Sequence, residues 1–177
     1  MTIRKAILPD LDAVEKLYEE VHDAEESGRQ TIGWIRGVYP VRSTAEAALE
    51  RGDLYVLISE AGIRGAAIIN QIQVDVYAGA PWQYSAPDDR ICVLHTLVID
   101  PACAGRGLGR AFVAFYENFA RTMNCPELRM DTNARNSIAR ALYKRLGYRE
   151  IAVVPTTFNG IPGIDLVLLE KNLEAMG

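Results

Sequence analysis

Residues 94–116 read LHTLVIDPACAGRGLGRAFVAFY. Residues 91–99 (ICVLHTLVI) carry apolar side chains on both faces, as a central strand does. A loop over residues 100–109 follows, and Gly105, Gly107 and Gly109 lead into RAFVAFYENFARTM (110–123), an amphipathic helix. The first turn of a helix leaves N–H groups unpaired at its positive end. Glycines there let a phosphate come close to the backbone, and Arg106 and Arg110 add positive charge. The chemistry suits a pyrophosphate. A plain strand-to-helix turn has the same pattern, and the loop alone does not choose. The mid-chain GxGxG spacing is not the GxGxxG of a dinucleotide fold, and GxxxxGK[ST] is absent.

Working outward, residues 128–132 read as a strand and residues 136–146, within NSIARALYKRLGY, as a helix with Gly147 as its C′ residue. Asn136, Ala139, Tyr143 and Leu146 share one face of that helix. Two further strands, 149–154 and 163–169, flank the turn FNGIPG. Upstream, residues 3–8 predict a strand. Asp10 then caps a helix whose Leu11, Val14, Leu17, Tyr18 and Val21 recur at helical spacing. GWIRGVYP, ending at Pro40, predicts a short helix, and another runs from Ser43 to Gly52. LYVLIS (54–59) and residues 64–73 form a hairpin through Ala61-Gly62. Residues 78–89 (AGAPWQYSAPDD) form the longest loop, a specificity element or a dimer contact. With no repeat or linker, this predicts one mixed α/β domain over residues 1–177.

The 177 residues are 49% apolar and 24% charged, enough for a packed core. The net charge of −4 argues against a nucleic-acid binder and favours a cationic or neutral partner. MTIRKAILPD lacks the apolar region of a signal peptide, and no apolar run approaches the roughly 20 residues of a membrane helix. Cys92, Cys103 and Cys125 have no CxxC spacing, so reduced thiols, no metal site and a cytoplasmic location are expected.

Two motifs together resemble the Gcn5-related N-acetyltransferase (GNAT) superfamily. Its coenzyme loop, Q/R-x-x-G-x-G/A, is similar to the segment from Ala104 to Gly109, with Ala104 in place of the usual Gln or Arg. Its following helix, N-x-x-A-x-x-L-Y-x-x-x-G-F/Y, is matched by Asn136, Ala139, Leu142, Tyr143, Gly147 and Tyr148. The resemblance implies a mixed, mostly antiparallel sheet with a splayed strand pair, flanked by helices, and acetyl-CoA as co-substrate. It implies that Leu97, Val98 and Ile99 offer the edge that pairs with the pantetheine arm. Gly105, Arg106, Gly107, Leu108, Gly109 and Arg110 would cradle the pyrophosphate, and Asn136 would touch the coenzyme. Tyr143 would protonate the departing thiolate; an ordinary core aromatic is its other fate.

Acetyl transfer to a primary amine also needs a base, since an amine of pKa about 10.4 is mostly protonated at pH 7. His95, in the central strand, is placed like a catalytic histidine of the arylalkylamine branch. Asp131 is placed like the acidic base of ribosomal-protein-acetylating members, unless Arg129 and Arg135 pair it structurally. His22 is expected to be exposed. The Val98 N–H is the expected donor to the oxyanion of direct attack. In this fold the acceptor cleft draws on Trp34, Tyr39, Asn70, Gln73, Tyr77, Trp82, Tyr84 and Phe158, of which any one has core packing as its alternative. The expected acceptor is a small-molecule amine. The alternatives are an acetyl-CoA-binding regulatory domain without turnover and a transferase acting on protein N-termini or lysines. A homodimer is left open.

Overall fold

The computed structural model describes residues 1–174. One seven-stranded sheet has the order β1-β2-β3-β4-β5-β7-β6. Its strands are β1 (Thr2–Lys5), β2 (Leu54–Ser59), β3 (Gly62–Asn70), β4 (Ile91–Ile99), β5 (Glu127–Asn133), β6 (Arg149–Phe158) and β7 (Ile161–Asn172). The helices are α1 (Leu11–Glu26), α2 (Arg42–Arg51), α3 (Leu108–Thr122) and α4 (Ser137–Arg145). Every neighbouring pair is antiparallel except β4–β5.

That parallel pair opens the site. β4 and β5 are paired only from Ile91↔Glu127 to Leu94↔Met130. Beyond Leu94, β4 stays with β3 as far as Ile99, while β5 stays with β7 as far as Asn133. The buried Tyr116 hydroxyl lies 2.6 Å from the Cys92 carbonyl and 3.2 Å from that of Arg129, which fastens the two strands just before they part.

A bulge in β4 accompanies the divergence. Ala66 faces Val98 and Ile68 faces His95, so Ala67 alone opposes Thr96 and Leu97. Thr96 has φ +49°, a left-handed conformation that β-branched residues rarely adopt. Its Oγ1 is hydrogen-bonded to the Tyr39 hydroxyl.

Strand alternation builds a core on each side of the sheet. Leu94, Met130 and Leu169 meet Phe112, Val113 and Tyr116 of α3 and Tyr143 of α4. On the opposite face Val56, Ala66, Ile68 and Val98 meet Val14, Leu17 and Val21 of α1 and Ala45 and Ala48 of α2. A third cluster joins Ile91, Val93, Leu166 and Leu168 to Tyr77 and the 78–89 loop.

The elements before α2 depart from expectation. GWIRGVYP is not helical. It is a turn with an Ile35↔Tyr39 bridge, because Gly33 and Gly37 take positive φ (+86° and +73°) and Pro40 ends it. Asp10 does precede α1, but its carboxylate turns back to the Ile7 N–H (2.8 Å) and to Arg4 (2.7 Å) and caps nothing in the helix. His22 is buried, not exposed, with Nε2 donating to the Pro40 carbonyl at 2.9 Å. β6 and β7 run longer than predicted, to Phe158 and Asn172, and meet in a turn at Asn159-Gly160.

Candidate active site

The opening between β4 and β5 leads to two connected spaces. The larger, about 820 Å³, lies over the β4 edge and the α3 N-terminus and brings together Leu97, Val98, Ile99, Gly105, Gly107, Leu108, Gly109, Arg110 and Asn136. The smaller, about 140 Å³, contains Trp34, Tyr39, His95, Thr96, Asp131 and Phe158. Trp34, Leu97, Asn136 and Tyr143 line both.

The α3 N-terminus is shaped for an anion. Gly105 and Gly107 have φ of +76° and +78°, and a Cβ added at either meets nothing within 4 Å. Space is therefore open at the backbone itself. No side chain caps α3, so its first N–H groups keep their donors. Gly109 has a different reason to be glycine: a Cβ there would stand 3.2 Å from Leu142 Cδ2 of α4. Arg110 and Arg145 line this space and have no ion-pair partner among the described residues, whereas the exposed Arg106 is not on its walls.

The ladder corrects one assignment. The Asp100 N–H bonds the Arg64 carbonyl at 2.9 Å, and Ala66 lies opposite Val98. Antiparallel alternation therefore turns the Val98 N–H toward β3 and those of Leu97 and Ile99 toward the opening. The donor facing the cleft is Leu97, not Val98.

Tyr143 is buried against Tyr148 (ring centroids 6.0 Å apart), and burial raises its phenol well above the usual range, so it stays protonated. Asn136 caps α4, its Oδ1 accepting from the Ala139 N–H at 3.1 Å.

Asp131 lines the smaller pocket without an ion pair among the described residues, so neither Arg129 nor Arg135 holds it. Burial pushes its carboxyl up to about 6, opposed by a 2.7 Å hydrogen bond that the Tyr77 hydroxyl donates to Oδ2. His95 moves the other way. Burial pulls it down to about 4, so it is neutral at pH 7. Asn70 Oδ1 lies 3.1 Å from His95 Nε2 and also accepts from the Ile72 N–H, while Asn70 Nδ2 donates to Asp53. Those partners orient the Asn70 amide with its oxygen toward His95, so Nε2 is the donor in that hydrogen bond.

Five expected acceptor residues do not line the pocket: Asn70, Gln73, Tyr77, Trp82 and Tyr84. Asn70 stands behind His95. Gln73 bonds Asp88 and Arg129. Trp82 donates to the Tyr77 carbonyl at 3.0 Å beneath the Arg129 guanidinium, 4.1 Å from its ring. The Tyr84 backbone meets Glu170 and Arg129. The 78–89 loop thus folds onto the third cluster instead of reaching the site. Tyr77 lies behind Asp131, its hydroxyl donating to Oδ2. The sequence reading missed Thr96, Val74, Ile164 and Leu166, which also line the pocket. The period-two pattern of residues 161–172 held a signal for Ile164 and Leu166.

Residues 15–148 match the acetyltransferase (GNAT) family. The chain belongs to this family. The family uses acetyl-CoA, and the open cradle at Gly105 and Gly107 with Arg110 and Arg145 beside it fits that coenzyme. An uncharacterised N-acetyltransferase from Methanocaldococcus jannaschii is 30% identical over 77 residues, 43% of this chain and 48% of that protein. The match spans about half the length of that relative.

Solved GNAT-type structures share the whole fold. A GNAT-family acetyltransferase from Streptococcus agalactiae superposes with TM-score 0.79 at 23% identity, over 97% of this chain and 94% of that one. A Brucella melitensis ribosomal-protein-alanine N-acetyltransferase gives 0.71 at 21% identity, over 98% and 100%. Salmonella typhimurium yncA, solved with its cofactor acetyl-CoA, gives 0.69 at 18% identity, over 97% and 93%. Among the described residues no group of side chains could hold a metal ion, and no helix is long and apolar enough to cross a membrane.

Proposed function

We propose that this GNAT chain is an acetyl-CoA-dependent N-acetyltransferase that acts by direct attack on the primary amine of a small molecule. The observation that carries the reading is the meeting of the two spaces at Leu97 and Tyr143, with Asp131 on the acceptor side. Acetyl-CoA supplies a thioester whose carbonyl carbon accepts an amine nitrogen.

The chain's residues have separate tasks. Gly105, Gly107 and the first N–H groups of α3 hold the pyrophosphate, with Arg110 and Arg145 supplying charge in place of the side chain that Ala104 lacks. The N–H groups of Leu97 and Ile99 orient the pantetheine arm and the thioester carbonyl. Asp131 Oδ1, with no hydrogen-bond partner among the described residues, takes the ammonium proton. A base is most effective with a pKa near the working pH, which favours Asp131 at about 6 over His95 at about 4. His95 serves as a neutral wall of the pocket. The Tyr143 hydroxyl delivers a proton to the sulfur that leaves.

The decisive experiment is calorimetric titration with acetyl-CoA, with NADH as control, followed by thiol release on adding amines. One-site binding of acetyl-CoA and amine-dependent release support the reading. Absence of acetyl-CoA binding overturns it. Binding without release by any amine supports the regulatory-domain alternative. A second reading, acetylation of a protein N-terminus, draws on the likeness to the Brucella ribosomal-protein-alanine enzyme. Alanine-initiated peptides test it.

A further inference from the structure

The acceptor pocket is asymmetric in charge. Among the described residues its walls hold one formal charge, the Asp131 carboxylate, and no lysine or arginine. The arginines of the site, Arg29, Arg110 and Arg145, lie on the coenzyme side. Arg51, behind His95, is neutralised by Asp53 at 2.9 Å. Beyond Asp131 the wall is the margin of the third hydrophobic cluster: Val74, Phe158, Ile164 and Leu166. Trp34 and Tyr39, packed edge to face with centroids 6.0 Å apart, form an aromatic wall as well.

The pocket is bordered by two fixed segments. The Glu25 carboxylate accepts from the N–H groups of Ile32 and Gly33, which anchors the segment between α1 and α2. A Cβ on Gly33 would lie 2.2 Å from Asn133 Nδ2, so the segment sits directly against the end of β5. A Cβ on Gly160 would lie 3.4 Å from Val38, on the β6–β7 turn. A substituent on the amine is thus held against apolar surface.

Resting on the transferase reading, we infer that the acceptor is a primary amine with an apolar substituent, aliphatic or aromatic, and no carboxylate beside the amino group. The ammonium faces Asp131 and the aromatic rings. The substituent covers Val74, Phe158, Ile164 and Leu166. An α-amino acid brings a carboxylate into a pocket without a cationic partner, and an unpaired buried charge is strongly disfavoured. A polyamine brings a second ammonium to apolar surface, with no second carboxylate to receive it.

The test compares 2-phenylethylamine, isoamylamine, phenylalanine, spermidine and an alanine-initiated hexapeptide, by thiol release at saturating acetyl-CoA. Phenylalanine differs from 2-phenylethylamine by the carboxylate alone. The expected result is a kcat/KM for the two apolar amines at least about 100-fold above that for phenylalanine, and at least about tenfold above those for spermidine and the hexapeptide. Phe158→Ser, checked for unchanged acetyl-CoA affinity, should raise KM for 2-phenylethylamine with little change in kcat. Comparable use of phenylalanine, or faster use of spermidine or the hexapeptide, overturns the inference. So does acetyl-CoA binding without release by either apolar amine. Failure to bind acetyl-CoA is a separate result, and it overturns the transferase reading together with the inference that rests on it.

Discussion

The Tyr77 hydroxyl donates to Asp131 Oδ2 at 2.7 Å, joining the residue before the 78–89 loop to the one carboxylate that lines the acceptor pocket among the described residues. The hydrogen bond favours the ionised carboxylate, while burial opposes it and is the larger effect. Tyr77→Phe should therefore move the acidic limb of the pH–rate profile to higher pH, by roughly one unit. The profile of kcat/KM measures this. A limb that stays in place would separate Asp131 from the proton transfer.

Asp131→Asn should lower kcat/KM by about 10²–10⁴ while making the protein more stable at neutral pH. The folded carboxyl sits at about 6 against an ordinary 3.8. Between those values the native state binds more protons than the unfolded one, so stability falls as pH rises through the window. The ionised group then costs at most on the order of 2–3 kcal/mol at pH 7. Melting temperatures at pH 7 and pH 4 decide this: the variant should melt higher at pH 7 and converge with the parent near pH 4.

His95 has the opposite linkage. Its folded value of about 4 lies below the ordinary 6.5. The unfolded state binds more protons in that interval, so stability rises with pH across it and is lost as pH falls toward 4. In the parent, His95 and Asp131 largely offset each other between about pH 4 and 6. In Asp131→Asn the His95 slope should lose that offset, giving a steeper acid loss seen by denaturant titration across pH. An unchanged slope would show that the Asp131 carboxyl is not raised in the folded protein; the His95 share is read from the slope lost on adding His95→Gln to Asp131→Asn.

Tyr143→Phe should slow transfer with little change in acetyl-CoA affinity, because the hydroxyl is proposed to act on the departing sulfur and not to hold the coenzyme. The phenol is raised by burial and then by the nearby Asp131 charge, so it is protonated across the working range. Single-turnover rates and the dissociation constant, measured side by side, separate the two effects. Parent-like turnover would remove Tyr143 from the chemistry.

The elements with strong local periodicity were legible from the chain. Residues 54–59 and 91–99 form strands with the bounds read from their apolar runs, and α3 and α4 lie within two residues of those read. What failed depended on contacts remote in sequence. GWIRGVYP has enough apolar residues for a helix, but Gly33 fits against Asn133, one hundred positions away. Trp82 and Tyr84 look like pocket aromatics until Arg129 and Glu170 draw the loop onto the outer cluster. The loop glycines and Tyr143 were readable because local spacing fixes their places. The contrasting environments of Asp131 and His95 were not, since burial and the Tyr77 and Asn70 partners set them.

Gly107 and Gly109 sit two residues apart and should fail differently. At Gly107 an added Cβ touches no protein atom, but φ is +78°. Gly107→Ala should cost about 1 kcal/mol of stability through backbone strain, and it places a methyl group where the pyrophosphate would approach. At Gly109 the φ is ordinary, and the methyl meets Leu142 Cδ2 at 3.2 Å. Gly109→Ala therefore pushes α3 and α4 apart or turns Leu142 aside, at a cost of about 1–3 kcal/mol. Acetyl-CoA titration together with thermal melts distinguishes the two. Gly107→Ala should weaken binding by at least about tenfold with a modest loss in melting temperature; Gly109→Ala should lose melting temperature first. If Gly107→Ala binds acetyl-CoA as the parent does, the α3 N-terminus is a turn for packing, and the pyrophosphate lies elsewhere in the cleft.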